Sequence, residues 1–391
     1  MIGAELLTEC LRSAGVTFVS TIVGNGINPF LQAAREQGFR VLDTRNEQTA
    51  CYMADAYARL TRRVGVCAVS ASVGHTNALT GLLNARLDGS PVLLISGSAD
   101  HRYTDRGKFQ DFDQVATAVP ICKYARLVDH PEKIVFYLRE ALAHAVSGRP
   151  GPVHLTVPQD VLEAEVPEQW MDPRAFSMLG VVRPNSPAPT DLVAQGARLI
   201  EEAERPVLVA GSGVFYSGGA AALARLAGSA RIPVVVPIWD RGSVESRVPE
   251  FAGVVGAYSG GPDLLKDADL AILVGARVDY RLGYLDVPEV SAGLRVLRID
   301  SDPVELHQGF EPNLAIQGDP KSVLEQITDQ LSWETGERHA VWLEETKRRD
   351  VAFRRRLQSD AYTSSSPTGW HVVQALRPLV DNGAVLVVDG G

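Results

Sequence analysis

The sequence has few cysteines and no long hydrophobic segment. Its four cysteines are widely spaced and contain no C-x-x-C pair (Cys10, Cys51, Cys67 and Cys122). This spacing argues against a disulfide framework or a zinc site and is typical of reduced, mostly buried thiols. Glu5 and Glu9 interrupt the apolar residues near the start, so nothing there resembles a signal peptide. Because no apolar segment reaches the length of a membrane span, we expect a cytoplasmic protein.

Basic residues are also fewer than acidic ones. The chain has 38 Lys and Arg against 47 Asp and Glu, a formal net charge of -9. Nucleic acids and anionic membranes bind basic surfaces, so this balance argues against both partners. Hydrophobic residues make up 45% and charged residues 22%, as in ordinary soluble globular proteins. At 391 residues the chain is too long for one compact core, so we predict two or three domains.

Short apolar, β-branched runs alternate with helical patterns over the first part of the chain. The predicted strands cover residues 16–23, 39–42, 64–70, 91–97 and 153–157, and the predicted helices cover 29–36, 48–61 and 77–86. Continuous apolar strands separated by helices indicate a parallel sheet that is covered on both faces. Residues 162–189, rich in proline and acidic residues, predict an inter-domain linker.

The alternation then restarts and closes near Leu331. Predicted strands cover 206–210, 233–237, 270–274 and 295–299, with helices over 191–202 and 219–227. Residues 333–366 are charged and then Ser-rich, which predicts a connector before a helix over 368–379 and a strand over 384–388. The predicted fold class is therefore α/β, with two doubly wound parallel-sheet domains and the start of a third.

Glu47 is the most informative single residue. It follows a predicted strand and precedes a predicted helix with apolar residues around it, so its carboxylate is expected to be partly buried. A carboxylate shielded from water and cations can share a proton near neutral pH. The alternative is a purely structural role, because acidic residues in the first turn of a helix are stabilised by the helix dipole.

Several short motifs accompany Glu47 in a fixed order. They are Arg45-Asn46-Glu47-Gln48, Ala54 to Arg59 (ADAYAR), Ser70 to Asn77 (SASVGHTN), Asp88 to Pro91 (DGSP), Phe109 to Gln114 (FQDFDQ), Gly148 to Val153 (GRPGPV) and Val157 to Val161 (VPQDV). In this order they resemble the pyrimidine-binding domain of thiamine diphosphate enzymes typified by acetolactate synthase and benzaldehyde lyase. The resemblance assigns residues 1–165 to that domain.

The second half resembles the central domain of the same family over residues 190–331. The matching segments are Pro206 to Gly213, Ala268 to Leu270, Gly275 to Asp279, Ile299 to Asp302 and Gly318 to Pro320. Residues 332–391 then correspond to a linker and a truncated start of the diphosphate-binding domain. The resemblance covers nearly the whole chain.

The resemblance implies a specific chemistry for Glu47. In this family a glutamate hydrogen-bonds N1′ of the aminopyrimidine and favours the imino tautomer, whose nitrogen removes the proton at C2 of the thiazolium. The deprotonated carbon attacks a 2-oxoacid or aldehyde carbonyl, and the ring serves as an electron sink. A nonpolar pocket also favours loss of CO2. The implied activity is that of a 2-oxoacid decarboxylase or carboligase, a lyase or transferase.

Further site residues follow from the matched motifs. Gln110 is implied to contact the substrate beside Glu47, and the implied cofactor-binding residues are Gly24, Asn25, Gly26, Gly74 and Asn77. From the residues alone, the glycines after the first strand fit an ordinary βα turn equally well, and Gln110 fits a solvated loop amide. His75 and His101 are available as acid–base groups, but neither is assigned a catalytic role.

The central domain holds FAD in acetolactate synthase. Gly211, Gly213, Gly275, Arg277 and Asp300 match positions near that nucleotide, and a glycine-rich turn at a helix start can approach a pyrophosphate. The full G-x-G-x-x-G pattern is absent. FAD is therefore possible but not favoured, and a nucleotide-binding protein is a third hypothesis for the chain.

The sequence departs from the family pattern at several positions. Asn46 replaces the usual histidine, and Ser72-Val73-Gly74 replaces Gly-Pro-Gly, changes that leave the substrate open among a 2-oxoacid, an aldehyde and an acyl-CoA thioester. The family binds diphosphate and Mg²⁺ through a Gly-Asp-Gly to Asn motif expected downstream of Asp389. We therefore expect no metal ligands in this chain, which alone would be inactive as a truncated or split enzyme. The alternative is a non-catalytic subunit that partners a diphosphate-binding chain; relatives imply a homodimer or homotetramer.

Overall fold

The computed structural model describes residues 1–167, 170, 185–240, 244, 248–256, 261 and 263–387. The chain divides into two compact units, the first over Met1–Pro184 and the second over Asn185–Gly391. Most of the predicted linker, at 168–169 and 171–184, lies outside the described residues. No helix in the described ranges is long and apolar enough to cross a membrane.

The first unit alternates strands and helices around one sheet. Its helices are α1 (Gly3–Ser13), α2 (Asn28–Glu36), α3 (Glu47–Thr61), α4 (Val73–Asp88), α5 (Gln114–Ala118), α6 (Ile134–Val146) and α7 (Gln159–Glu163). Its strands are β1 (Phe18–Thr21), β2 (Arg40–Asp43), β3 (Gly65–Val69), β4 (Val92–Ser98), β5 (Tyr124–Leu127) and β6 (Val153–Pro158). The order across the sheet is β2-β1-β3-β4-β6-β5, and all neighbouring strands are parallel.

Helices cover both faces of this sheet, as its apolar strands require. In β3, Val66 and Ala68 belong to the core cluster with α1, α2 and α6. Cys67 and Val69 face the other way, into a cluster formed with α3 and α4. This alternation of successive side chains is the normal geometry of a strand. The prediction of a doubly wound parallel sheet is confirmed for this unit.

The chain reverses direction across the sheet beside β1. From β1 it moves outward to β2, then returns past β1 to β3 and continues to β4. At such a switch point the connections after adjacent strands leave on opposite faces, which opens a crevice at the carboxyl ends of the strands. In this unit the crevice lies between the ends of β1 and β3, next to the start of α3.

The second unit repeats this architecture with a second parallel sheet. Its helices are α8 (Thr190–Glu202), α9 (Ser212–Tyr216), α10 (Ala220–Ala230), α11 (Pro320–Thr328), α12 (Glu334–Thr363) and α13 (Gly369–Asp381). Its strands are β7 (Pro206–Ala210), β8 (Val234–Pro237), β9 (Phe251–Val255), β10 (Leu270–Val274), β11 (Arg295–Asp300) and β12 (Leu314–Gln317). The order is β12-β11-β10-β7-β8-β9, again parallel throughout. The chain reverses between β7 and β10.

The charged stretch after Leu331 forms α12, and its first half packs onto the second unit. Trp342 lies in a core cluster with Val207 and Val209 of β7, and its Nε1 donates to the Pro206 carbonyl at 2.9 Å. His339 is buried with both ring nitrogens within hydrogen-bond distance of backbone carbonyls. These contacts anchor the helix to the sheet.

One predicted strand is wrong. Residues 384–387 have no regular secondary structure, and Val385 and Val387 are each 90% exposed; residue 388 lies outside the described part. A strand needs a hydrogen-bonded neighbour, and among the described strands none pairs with this segment. The four cysteines are free, three buried and Cys122 half-buried, as expected for reduced thiols.

Candidate functional site

Glu47 is the first residue of α3, at the crevice beside β1. Asn46 precedes it with extended backbone and caps the helix, because its Oδ1 accepts a hydrogen bond from the Gln48 amide at 2.8 Å. The cap fixes where the helix begins. Glu47 is therefore held on the first turn and is half-buried, as the sequence predicted.

The two carboxylate oxygens of Glu47 have different surroundings. Asn77, on α4, donates from Nδ2 to Oε2 at 3.0 Å. Among the described residues no group donates to Oε1. A Cβ placed on Gly74 would lie 3.3 Å from Oε1, so the missing side chain leaves that oxygen open. One oxygen is thus oriented by the protein, and the other is available to a ligand.

Glycines bring the neighbouring loops close to this carboxylate. A Cβ on Gly24 would lie 2.6 Å from Ser70 Cβ, and one on Gly74 would lie 2.3 Å from Ser70 Oγ. A larger residue at Gly24 would therefore push the loop after β1 away from Ser70, whereas one at Gly74 would displace the Ser70 hydroxyl. The Asn25 carbonyl accepts from the Ala71 amide at 3.2 Å and joins the two loops.

Gly26, in the same loop, lies close to the end of β4. Its φ of +81° is left-handed, and a Cβ would lie 2.6 Å from the Ser98 carbonyl oxygen. It therefore packs the loop against the end of β4. The structure thus brings Glu47, Gly24, Gly74 and Asn77 together near Ser70. Asn25 and Gly26 hold the loop after β1 in place, through the Ala71 amide and the end of β4.

Gln110 lies in the loop between β4 and α5 in an unusual conformation. Its φ of +63° is left-handed, a conformation that non-glycine residues rarely adopt. Its Oε1 is buried, and no described residue donates a hydrogen bond to it. No hydrogen bond in the described ranges joins Gln110 to Glu47, so its proposed contact with substrate stays a prediction.

The two histidines noted in the sequence occupy different environments. His75 lies in the first turn of α4 and is fully buried, and its ring contacts the hydroxyls of Ser96 and Thr117 at 2.9 and 3.0 Å. Burial lowers the pKa of His75 to about 4, which keeps the ring neutral near pH 7. His101 is exposed and bonds Asp160 at 2.7 Å.

The predicted nucleotide residues also lie at strand ends, in the second unit. A Cβ on Gly211 would lie 2.1 Å from the Gly275 carbonyl oxygen, and one on Gly213 would lie 2.6 Å from Gly275 Cα. The space left by these glycines is therefore filled by backbone. Arg277 pairs with Glu305 at 3.2 Å. Burial raises the pKa of Asp300 to about 7. Nucleotide binding there stays a prediction.

Comparisons with known proteins agree with this geometry. Residues 1–117 match the family described as "Thiamine pyrophosphate enzyme, N-terminal TPP binding domain". Residues 193–327 match "Thiamine pyrophosphate enzyme, central domain". The chain belongs to the thiamine pyrophosphate enzyme family. Thiamine pyrophosphate and thiamine diphosphate are the same compound.

Three curated members of the thiamine pyrophosphate enzyme family illustrate the similarity. A probable acetolactate synthase large subunit from Methanocaldococcus jannaschii is 31% identical over 88% of this chain and 58% of its own length. The 2-hydroxyacyl-CoA lyase 2 of Danio rerio is 33% identical over 100% of this chain and 67% of its own. The oxalyl-CoA decarboxylase of Escherichia coli is 29% identical over 87% and 59%. The chain therefore spans about three fifths to two thirds of these relatives.

In this thiamine pyrophosphate family member Gln114 was assigned no role from the sequence, and Ser72 was noted only as a departure from the family pattern. Gln114 opens α5 and is buried at 2% exposure. Ser72 precedes α4 with a left-handed φ of +53°. Its place at the end of the Phe109 to Gln114 motif could have drawn attention to Gln114. A glutamine among polar residues, however, is normally predicted to lie on the surface.

Proposed function

We propose that this protein is a thiamine diphosphate-dependent lyase or synthase that makes or breaks carbon–carbon bonds in 2-oxoacids. The observation that supports this function is the Glu47 carboxylate, with one oxygen held by Asn77 and the other open beside Gly74. The family assignment supplies the cofactor class.

The residues present fit the aminopyrimidine end of this cofactor. Glu47 would share a proton with the ring nitrogen N1′ through its open oxygen, and Asn77 would keep the carboxylate oriented. Gly24 and Gly74 would leave room for the ring, since neither carries a side chain into the crevice. When bound, the cofactor supplies an electron sink for bond making and breaking beside a carbonyl. Mg²⁺ would be required for its diphosphate, and FAD is not favoured.

The substrate is the finer part of the proposal. One relative is named for acetolactate and two for CoA substrates. A 2-oxoacid is our first choice, and an acyl-CoA thioester is the competing class. Turnover assays with pyruvate and with a 2-hydroxyacyl-CoA separate the two.

Glu47→Gln tests the proposed role directly. The chain is assayed with thiamine diphosphate and Mg²⁺, both alone and together with a polypeptide that carries a diphosphate-binding domain. Exchange of the cofactor's C2 proton for deuterium is followed by NMR, and the variants are compared in the sample in which the wild type accelerates this exchange above that of the free cofactor. Loss of general acid–base help should slow the exchange by about 10²–10⁴-fold. Glutamine keeps the size of the side chain and an acceptor for Asn77, so the change isolates the carboxylate.

The control is Glu36→Gln, on the exposed surface of α2 in the same unit. It should exchange at the wild-type rate. Equal rates in wild type and Glu47→Gln would contradict the assigned role of Glu47.

A second candidate is a subunit that works with a partner chain carrying the diphosphate-binding surface. The observation that favours it is α13, on which Val372, Val373 and Leu379 are all exposed. Three apolar residues on one short helix suit a surface that is covered in an assembly. Light scattering with and without the partner tests this candidate, since only an assembly increases the mass; a homodimer or homotetramer would be seen in the same experiment.

A further inference from the structure

Gln114 connects three strand ends of the first unit through its side chain. Its Oε1 accepts a hydrogen bond from the Ser72 amide at 2.6 Å, just beyond the end of β3. Its Nε2 donates to the Gly97 carbonyl in β4 at 3.1 Å and to Thr156 Oγ1 in β6 at 3.3 Å. A carboxamide offers two donor hydrogens and one acceptor oxygen, and both ends of this one are used inside the protein.

The Ser72 amide belongs to a residue with a strained backbone conformation. Ser72 has φ +53° and ψ -94°, a conformation that a non-glycine residue keeps only when its surroundings hold it. Its own side chain does not cap α4. The bond from Gln114 therefore holds the backbone at the point where α4 begins.

A second set of hydrogen bonds restrains the same turn of α4 through the side chain of His75. The Thr117 hydroxyl donates to the Gln114 carbonyl at 3.0 Å, so Thr117 accepts from His75 Nε2. His75 Nδ1 is then an acceptor for the Ser96 hydroxyl, and Ser96 in turn accepts from His154 Nε2 at 3.1 Å. This assignment of hydrogens follows from the network and requires the His75 ring to be neutral, whereas for His154 it fixes only the proton on Nε2. Burial lowers the pKa of both histidines, in agreement.

The turn held in this way is the one that contacts Glu47. Its first residues after Ser72 include Gly74, whose open space faces Oε1, and one turn later Asn77, whose Nδ2 lies 3.0 Å from Oε2. A shift of this turn of α4 would change both contacts together. The position of the turn relative to α3 thus sets the geometry of the carboxylate.

We propose that Gln114 is a positioning residue for the Glu47 site, acting through the Ser72 amide and the first turn of α4. Its catalytic meaning rests on the function proposed above, whereas its effect on the turn is independent of any cofactor. A defect in Gln114 should therefore loosen residues 70–77 first and disturb Glu47 as a consequence.

The test compares Gln114→Met, Gln114→Glu and the control Gln37→Met. Methionine has a similar size but lacks both hydrogen-bonding ends, and glutamic acid, in the protonated form that this buried position favours, keeps an acceptor for Ser72 and one O–H donor for Gly97. Gln37 is half-buried in the same unit and bonds a backbone carbonyl at 3.1 Å, away from α4. Amide hydrogen exchange of the segment 70–77 is measured without cofactor. The rate of C2 proton exchange in thiamine diphosphate and the cofactor's calorimetric affinity are then measured with Mg²⁺.

Gln114→Met should raise amide exchange over 70–77 by at least about tenfold, the effect of losing one buried hydrogen bond to the backbone. Gln114→Glu should restore it to within about threefold of wild type, and Gln37→Met should leave it unchanged. The C2 exchange rate should fall about tenfold in Gln114→Met with less than about a threefold change in affinity. Should Gln114→Met fail to fold, Gln114→Asn, one methylene shorter, replaces it with the same expectation.

Unchanged exchange over 70–77 in Gln114→Met, or protection lost equally throughout the first unit, would overturn the proposal. So would a Gln114→Glu variant as loose as Gln114→Met. Failure of the proposed function gives a different result: wild type and Glu47→Gln would then show the same C2 exchange, while the cofactor-free comparison of the Gln114 variants would keep its outcome.

Discussion

The two units place polar groups at equivalent strand ends but satisfy them in different ways. In the first unit the buried side chains of Gln114 and His75 are neutral and hydrogen-bonded, and the Glu47 carboxylate keeps one oxygen open. In the second unit charged groups pair with each other. Arg281 bonds Asp279 at 2.9 Å and Asp240 at 3.2 Å.

This difference leaves a carboxylate oxygen open beside the strand ends of the first unit, whereas Arg281, Asp279 and Asp240 of the second unit are bonded to one another. A charge that is paired inside the protein has little left to offer a ligand, whereas an oriented carboxylate with an open oxygen does. Glycines follow the same division. In the first unit they clear space beside Glu47, and in the second Gly211 and Gly213 let their backbones pack closely against Gly275.

The largest expected change in stability comes from Arg281→Met. Arg281 and Asp240 have side chains only 10% and 11% exposed, so the variant removes a buried cation from beside the Asp240 carboxylate. Breaking a buried pair in this way costs about 3–5 kcal/mol of unfolding free energy. Urea unfolding followed by the fluorescence of Trp342, buried in the second unit, measures the loss.

Arg225→Met is the matched control, because Arg225 and Asp329 form an exposed pair. It should cost less than about 1 kcal/mol. The comparison of the two units further requires that Arg281→Met leave C2 proton exchange by the first unit unchanged. Equal losses in the two arginine variants would show that the second unit does not depend on its buried charges.

A smaller effect is expected from acid in the first unit. His75 has its pKa lowered from 6.5 to about 4 by burial, so the unfolded chain takes up a proton before the folded one does. Stability is therefore complete above pH 6.5 and falls as the pH drops toward 4, by about 3 kcal/mol in total. His154, also shifted downward, adds to the same slope. Urea unfolding between pH 7 and 4.5 measures it.

His75→Gln removes the titrating ring but keeps a neutral polar side chain, so its stability should depend less on pH over this range. His130→Gln, at an exposed position, should keep the wild-type slope. If the unfolding free energy of His75→Gln depended on pH as strongly as that of the wild type, the fold would not be what keeps the His75 ring neutral. The contrast between neutral groups in the first unit and charged pairs in the second would then be contradicted.

The sequence predicted the central strands of both sheets because these strands are continuous apolar runs. The strands that it missed, β5, β9 and β12, all lie at sheet edges. Two of them, β5 and β12, carry polar residues, Arg126 and Gln317, which hide the apolar pattern, and β9 is interrupted by Gly253. Residues 384–387 show the reverse error, since an apolar β-branched run alone predicts a strand but supplies no neighbour for it.

Within the site, sequence reasoning reached Glu47 and the loops around it through their motif order. It could not find the contacts among them, because the Glu47–Asn77 bond joins residues thirty positions apart. It also placed His75 among acid–base candidates, while burial makes the ring a neutral support. The fate of a polar side chain depends on what packs around it, and a single sequence does not contain that information.

The smallest expected effects come from adding one methyl group to a glycine in each unit. In Gly213→Ala the new Cβ meets Gly275 Cα at 2.6 Å, and backbone cannot yield, so we expect a loss of about 1–3 kcal/mol in unfolding free energy. In Gly74→Ala the nearest atom is Ser70 Oγ, which can rotate away, but the methyl group also lies 3.3 Å from Glu47 Oε1. This variant should keep its stability to within about 1 kcal/mol and instead lose C2 proton exchange. Denaturant unfolding and the exchange assay on both variants test the division: an unstable Gly74→Ala with normal exchange would show that the glycines of the first unit, like those of the second, serve packing alone.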